Sequence, residues 1–354
     1  MCGAGLLLTN WGWKYLWILR TIRAQKFNQS INTLSARESK GYSGMAVSIT
    51  LRNITKKFGA VTAVNNLSFG VEHGTIFAIV GPSGCGKSTL LKIMATMLAP
   101  SQGSGYINGQ NLIARPWQIR QQIGYMGQRV ILDEQLTILE NFVFHCKLHG
   151  LDDQEAEARI LGLAERFDLM DILHELPESL AYGVRRKIQL VRTLLTQPKI
   201  LLLDEPTRSL DRQTALKIWD YLKEHRSSLT IVMITSSMAE VEHVADRLII
   251  MNRGHILVDG SVDEILYAQQ PNLVLEATVR DYDEEEYRTI RDAEFVLGIS
   301  RNENVYEIIT KSPAAQAQII QLFKPGNLVA FIPRRTRLAD AFIHTLTQEQ
   351  MIDE

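Results

Sequence analysis

Nine consecutive residues, Gly81-Pro82-Ser83-Gly84-Cys85-Gly86-Lys87-Ser88-Thr89, have the spacing of a phosphate cradle. Its three glycines let the backbone curl so that N–H groups converge on phosphate oxygens. Lys87 is placed to reach β- and γ-phosphates, and the Ser88 hydroxyl to ligate Mg²⁺. A second group, Asp204-Glu205-Pro206, follows the apolar run Ile200–Leu203. Two carboxylates at the end of a buried strand suit metal and water chemistry at a phosphate site. Asp204 would hold the metal, directly or through water, and Glu205 would act on the attacking water. Alone, each group has a plainer reading, a glycine-rich turn with a solvent lysine or a loop with two acids. Their occurrence in one chain favours the phosphate chemistry.

The surrounding pattern supplies elements to position them. Thr75–Val80 reads as a buried strand leading into the loop, and Leu90–Leu98 has the apolar spacing of a helix leading out. Strand, glycine loop and helix are the context that a phosphate loop requires, with the helix dipole adding attraction for an anion. Upstream, Val47, Ile49 and Leu51 alternate as in a half-buried strand, and Val61–Val64 and Leu67–Val71 read as two further strands with turns between. Phe58, just before them, is placed either to stack on an adenine ring or to fill the core. Tyr106–Asn108 with Gly109 reads as a hairpin, and Ile123–Gly127 as a strand ending at Gln128. A helix-rich block covers Leu136 to about Val191, where Asp152 three residues before Glu155 suggests a capped helix running to Phe167. Leu229–Ile234 is the next strand, followed by Ser236-Ser237, a helix, the strand Arg247–Met251 and a hairpin through Asn252-Arg253-Gly254.

Composition narrows the function classes. Over 354 residues, 38 Lys and Arg stand against 39 Asp and Glu, so no basic field favours nucleic acid. The three cysteines, at 2, 85 and 146, lack paired spacing and fit a reducing compartment. No run of about 20 apolar residues is present, so a membrane-spanning part would belong to another polypeptide. Residues 1–44, with Trp11, Trp13 and Trp17, read as an N-terminal extension without its own fold, or as an interfacial amphipathic helix.

Taken together and in order, these motifs resemble the ATP-binding subunit of an ABC transporter from about Met45 to Tyr267. GPSGCGKST (81–89) resembles Walker A, Gln128 the Q-loop glutamine, LLLDEP (201–206) Walker B with its catalytic glutamate, and Arg208–Asp211 the D-loop. The resemblance implies a P-loop α/β domain over 45–268 with a helical subdomain at about 129–190. It implies ATP and Mg²⁺ as cofactors, with Phe58, the 81–89 loop, Gln128, Asp204 and Glu205 around the nucleotide. Ser88, Gln128 and Asp204 would serve the metal, and Phe58 the adenine. It also implies a second ATP-binding domain, as homodimer or heterodimer, and a separate transmembrane permease contacted by about Arg129–Ser179. The location implied is cytoplasmic, peripheral on the inner face of the cell membrane.

Two positions depart from the family pattern. Where its signature reads LSGGQ, this chain reads Leu180-Ala181-Tyr182-Gly183-Val184, without the serine hydroxyl and with a ring where close approach is needed. Where a switch histidine stands, this chain has Ser236, in Thr235-Ser236-Ser237-Met238-Ala239-Glu240-Val241-Glu242. The first change touches the partner's nucleotide and the second this chain's own, so the expectation is firm ATP binding with slow hydrolysis. The tail, 270–354, reads β-α-β-β-α-β plus a last helix from Leu338 to about Gln348, a split-βαβ (ferredoxin-like) α+β domain. Its stretch Thr336–His344 resembles the small C-terminal domain of drug-, antibiotic- and lipid-export ATPases. The expected function is thus ATP-driven export through the permease. The alternatives are an ATP-gated regulatory subunit with little hydrolysis, or a soluble ABC-type protein acting on nucleic acid or ribosomes.

Overall fold

The computed structural model describes residues 47–268, 273–310 and 315–353. The segment 1–44, read above as an extension or an interfacial helix, lies outside the described residues.

Two sheets build the first part. Strands β1 (Val47–Phe58), β2 (Val61–Glu72), β4 (Gln102–Ile107) and β5 (Gln110–Asn111) form an antiparallel sheet in the order β2-β1-β4-β5. The central sheet has β3 (Ile76–Val80), β6 (Ile123–Met126), β7 (Ile200–Asp204), β8 (Thr230–Ile234), β9 (Arg247–Asn252) and β10 (His255–Ser261) in the order β10-β9-β3-β8-β7-β6. All its pairings are parallel except the β9–β10 hairpin. Every residue of β3, β7 and β8 is buried, which explains the continuous apolar runs 76–80, 200–203 and 231–234: parallel strands covered on both faces need not alternate. Phe77, Ile79, Leu202 and Val232 pack toward Ile49, Leu51 and Val71 of the antiparallel sheet and toward α1 (Lys87–Met94) and α2 (Pro116–Arg120). Ile76, Ala78, Val80, Leu201 and Leu203 face the opposite layer of helices.

That layer comprises α3 (Ile138–Leu148), α4 (Asp153–Arg166), α5 (Tyr182–Leu194), α6 (Arg212–Glu224), α7 (Met238–Val244) and α8 (Val262–Ala268). Asp152 caps α4 by accepting from the Glu155 N–H, but the Glu155 side chain pairs with Arg159 instead of returning to the cap. The reciprocal capping box belongs to α3, where Thr137 and Glu140 exchange bonds. Two sequence-based expectations are corrected here. Val61–Val64 and Leu67–Val71 are one strand, because register shifts opposite Ile54 and Lys56 absorb the irregularity, with Asn66 at φ 52° donating to Thr55 Oγ1. The helix after the loop is α1, which starts at Lys87 and ends at Met94; it does not run from Leu90 to Leu98.

Beyond residue 272, β11 (Leu273–Val279), α9 (Glu284–Arg291), β12 (Val296–Asn302), β13 (Val305–Thr310), α10 (Ala315–Gln321) and β14 (Leu328–Arg335) make an antiparallel sheet ordered β12-β13-β11-β14. This is the expected split-βαβ plan, its core built on Leu275, Tyr306, Ile308, Ile319 and Phe323. The last helix, α11 (Leu338–Asp353), returns to the first part and packs on α7 and α8. Leu338 and Ala341 are buried in that part's core, and the Leu338 N–H donates to Glu242 Oε1 at 2.8 Å. Where β14 turns into α11, Arg334 joins Glu276, Glu307 and the buried Asp340 in one ionic cluster, which holds its guanidinium firmly protonated. Among the described residues, no helix is long and apolar enough to cross a membrane.

Candidate functional site

Because β3, β8, β7 and β6 run parallel, their carboxyl ends share one edge of the sheet. The loop 81–86 follows β3, Ser236 follows β8, Asp204 and Glu205 end β7, and Gln128 follows β6. Register fixes them side by side, with Asp204 opposite Ile234 and Met126 opposite Leu203. Such an edge is where open α/β sheets bind ligands.

The loop's shape is specified by glycine. A Cβ at Gly81 would lie 2.2 Å from Met251 O, and one at Gly86, φ 107°, would lie 2.1 Å from Ala63 O. Gly86 is also the N-cap of α1, which has no side-chain cap and no acid in its first turn. The free N–H groups and dipole of that first turn, where Ser88 and Thr89 stand half-buried, suit a phosphate. Lys87 Nζ donates to Gly81 O and Pro82 O, both at 2.7 Å, so the cation closes the loop on itself. Ser83 and Gly84 are exposed, whereas Cys85 is only 5 % exposed, its sulfur directed at Gly81. The thiol therefore packs the loop and does not face outward.

At the end of β7, separated from β3 by β8, Asp204 is buried, and Glu205 takes left-handed backbone geometry at φ 52°, its N–H bonded to Ile234 O at 2.8 Å. Ser236 Oγ donates to Glu205 Oε2 at 3.3 Å. Glu240 braces this corner, accepting from Thr235 Oγ1 at 2.5 Å, Trp219 Nε1 at 2.8 Å and Thr207 Oγ1. Burial, and then the Asp204 charge, push the Tyr125 phenol up. Hydroxyl, amide and carboxylate oxygens of Ser88, Gln128 and Asp204 are the hard donors that suit Mg²⁺. Among the described residues no cluster of three His, Cys, Asp or Glu offers a metal site.

One residue at this edge escaped the sequence reading. Arg186, on α5 and 1 % exposed, donates to Gly127 O, Gln128 O, Asp204 O and Glu205 O at 2.6 to 3.0 Å. A basic residue in a helix carries no local signal of such burial. Helix α5 starts at the altered signature, and its N-cap, Ala181, provides no side-chain bond. The Tyr182 ring is 44 % exposed, with its hydroxyl 3.4 Å from Gln128 O. Gly183 abuts the D-loop, since a Cβ there would lie 2.4 Å from Ser209 O. Phe58 is 49 % exposed with Lys56 Nζ 5.1 Å from its ring centre, so it is not a core residue.

Fold and site define a P-loop nucleotide-binding cassette. The ABC transporter family profile matches residues 64–208. The daunorubicin resistance ATP-binding protein DrrA3 of Streptomyces coeruleorubidus is 33% identical over 218 residues, covering 61% of this chain and 69% of that protein. The sulfate/thiosulfate import ATP-binding protein CysA of Mesostigma viride is 34% identical, covering 62% and 63%. The probable multidrug ABC transporter ATP-binding protein YbhF of Escherichia coli is 32% identical over 63% of this chain, which spans 39% of its length. Among solved structures, an ATP binding subunit of an ABC transporter superposes with TM-score 0.59 at 26% identity, over 62% of this chain and 92% of that one. A dimeric ATP-binding cassette in a post-hydrolysis state with ADP and Pi gives TM-score 0.56 at 28% identity, over 60% and 98%. The chain belongs to the family of ABC transporter ATP-binding subunits, and it is an ATPase of that class.

Proposed function

We propose that this subunit binds Mg·ATP in the 81–89 loop, closes on a second ATP-binding domain, and drives export through a separate permease. The observation that carries the reading is the gathering of the loop, Gln128, Asp204, Glu205 and Ser236 at one sheet edge. Lys87, the loop N–H groups and the α1 terminus hold the phosphates, and exposed Phe58 stacks on the adenine. Ser88, Gln128 and Asp204 serve Mg²⁺, which when bound neutralises charge developing on the phosphates. Glu205 is the general base, and Ser236 supports its carboxylate. The C-terminal resemblance to export ATPases gives the direction of transport, and the relatives include both drug-resistance and import proteins.

Helical block and catalytic core offer a surface for the permease. Ile131, Phe144 and Leu148 are 65, 55 and 67 % exposed. Beside α3 lies a cavity of 240 Å³ whose lining includes Arg120, His145, His149 and Arg192 and no acid. This combination fits an apolar segment carrying a carboxylate, and supports a subunit held peripherally on the cytoplasmic membrane face by its permease. A second reading, a regulatory subunit with little hydrolysis, is favoured by the uncapped Ala181 and the exposed Tyr182 ring.

The test is Mg·ATP turnover of the subunit alone and co-purified with any polytopic membrane protein that its neighbouring reading frames encode. Stimulation by that partner, abolished by Glu205→Gln, is expected. Stimulation by nucleic acid or ribosomes with no membrane partner would contradict the reading.

A further inference from the structure

We infer that Arg186 is a positioning residue for hydrolysis, its single guanidinium fixing the backbone of the Gln128 and Glu205 segments together. The inference rests on Glu205 being the general base. Nη1 donates to Gly127 O at 2.7 Å and Gln128 O at 3.0 Å, and Nη2 donates to Asp204 O at 3.0 Å and Glu205 O at 2.6 Å. The two strands β6 and β7 thus end on one planar fork, a geometry that lysine cannot reproduce.

The arrangement is costly for packing alone. Arg186 is among the largest fully buried side chains, its four acceptors are neutral carbonyls, and its Nε is buried without a partner. Burial depresses its pKa, so the charge is held against desolvation. What the charge secures is the backbone of Glu205. A non-glycine residue at φ 52° is strained and persists only when its surroundings hold it there. Three bonds do so: from its N–H to Ile234 O, from Arg186 Nη2 to its carbonyl at 2.6 Å, and from the Arg208 N–H to the same carbonyl at 3.3 Å, the longest of the three. Without the second bond the residue relaxes, and its carboxylate swings away from Ser236 Oγ. Arg186 also stands one turn into α5, four residues after Tyr182, so a shift of the signature reaches Gln128 and Glu205 through it.

The test compares wild type, Arg186→Lys, Arg186→Gln and Glu205→Gln. In folded Arg186→Lys, kcat should fall at least tenfold, with KM and the Mg·ATP dissociation constant within twofold of wild type. Hydrogen exchange should quicken at least tenfold in peptides covering 124–130 and 202–208 together, and stay unchanged over 81–89. Arg186→Gln should behave alike, so the two variants guard against one misfolding. Wild-type kcat in Arg186→Lys with an inactive Glu205→Gln overturns the inference. So does a general rise in exchange or a matching loss of ATP affinity, which would mark a merely structural arginine. Retained turnover in Glu205→Gln would instead overturn the general-base reading, and the exchange pattern would still decide on Arg186.

Discussion

Ser236 Oγ stands 3.3 Å from Glu205 Oε2, so the residue in place of the switch histidine still touches the carboxylate proposed as the base. A hydroxyl at that distance orients the carboxylate but reaches no further toward a γ-phosphate than its own length. Restoring the longer side chain and the signature, Ser236→His with Ala181→Ser and Tyr182→Gly, should therefore raise turnover at least tenfold. Each repaired contact returns on the order of 2–4 kcal/mol of transition-state stabilisation. Steady-state phosphate release is the assay, and Glu205→Gln in the repaired background should remove the gain. No rise in the triple variant would show that the altered motifs do not limit the rate.

Cys85 provides a probe of the loop. With 5 % exposure it should react slowly with maleimide, since alkylation requires the loop to open, and saturating Mg·ATP should slow it further. Alkylated protein should no longer bind ATP. Mass spectrometry of the Cys85 peptide, with fully buried Cys146 as internal reference, gives both rates. Equal rates with and without ATP would contradict a loop wrapped on nucleotide.

His145 makes stability depend on pH. Burial, then His149 and Arg192, lower its pKa from 6.5 to about 3. The unfolded chain therefore takes up a proton below about pH 6.5 that the native imidazole refuses until about pH 3. The stability contributed by the neutral form is complete above pH 6.5 and lost as pH falls. This one group should supply a slope of about 1.4 kcal/mol per pH unit between pH 6 and 4. Unfolding free energies from urea titrations of wild type should fall with pH more steeply than those of His145→Gln, by about that slope; identical slopes would refute the assignment.

The return of α11 to the first part predicts a stability effect far from the nucleotide. Leu338 is fully buried, so Leu338→Ala should destabilise by about 2–5 kcal/mol in denaturant titrations. A loss under 1 kcal/mol would mean that the helix does not dock as described.

Local motifs were legible because each carries its own geometry. The phosphate loop, the buried run before Asp204, and the strand order of 273–335 all follow from short-range pattern. What escaped depends on contacts across the fold. Arg186 lies 18 to 59 residues from its four acceptors, and nothing around it in sequence distinguishes a buried arginine from a solvated one. The continuity of β2 through Asn65 and Asn66 depends on bulges in its partner β1, and the docking of α11 on Glu242 joins residues 96 apart. Phe58 had two readings until its exposure removed the core as an option.

The central claim is that the 81–89 loop is the nucleotide site, and a direct titration with Mg·ATP tests it. Lys87 is the cation that bridges Gly81 O and Pro82 O and, in this account, transfers to the phosphates. Wild type should bind with saturable, Mg²⁺-dependent affinity, and Lys87→Ala, still folded by its thermal melt, should show no binding. Unchanged affinity in folded Lys87→Ala would contradict the account.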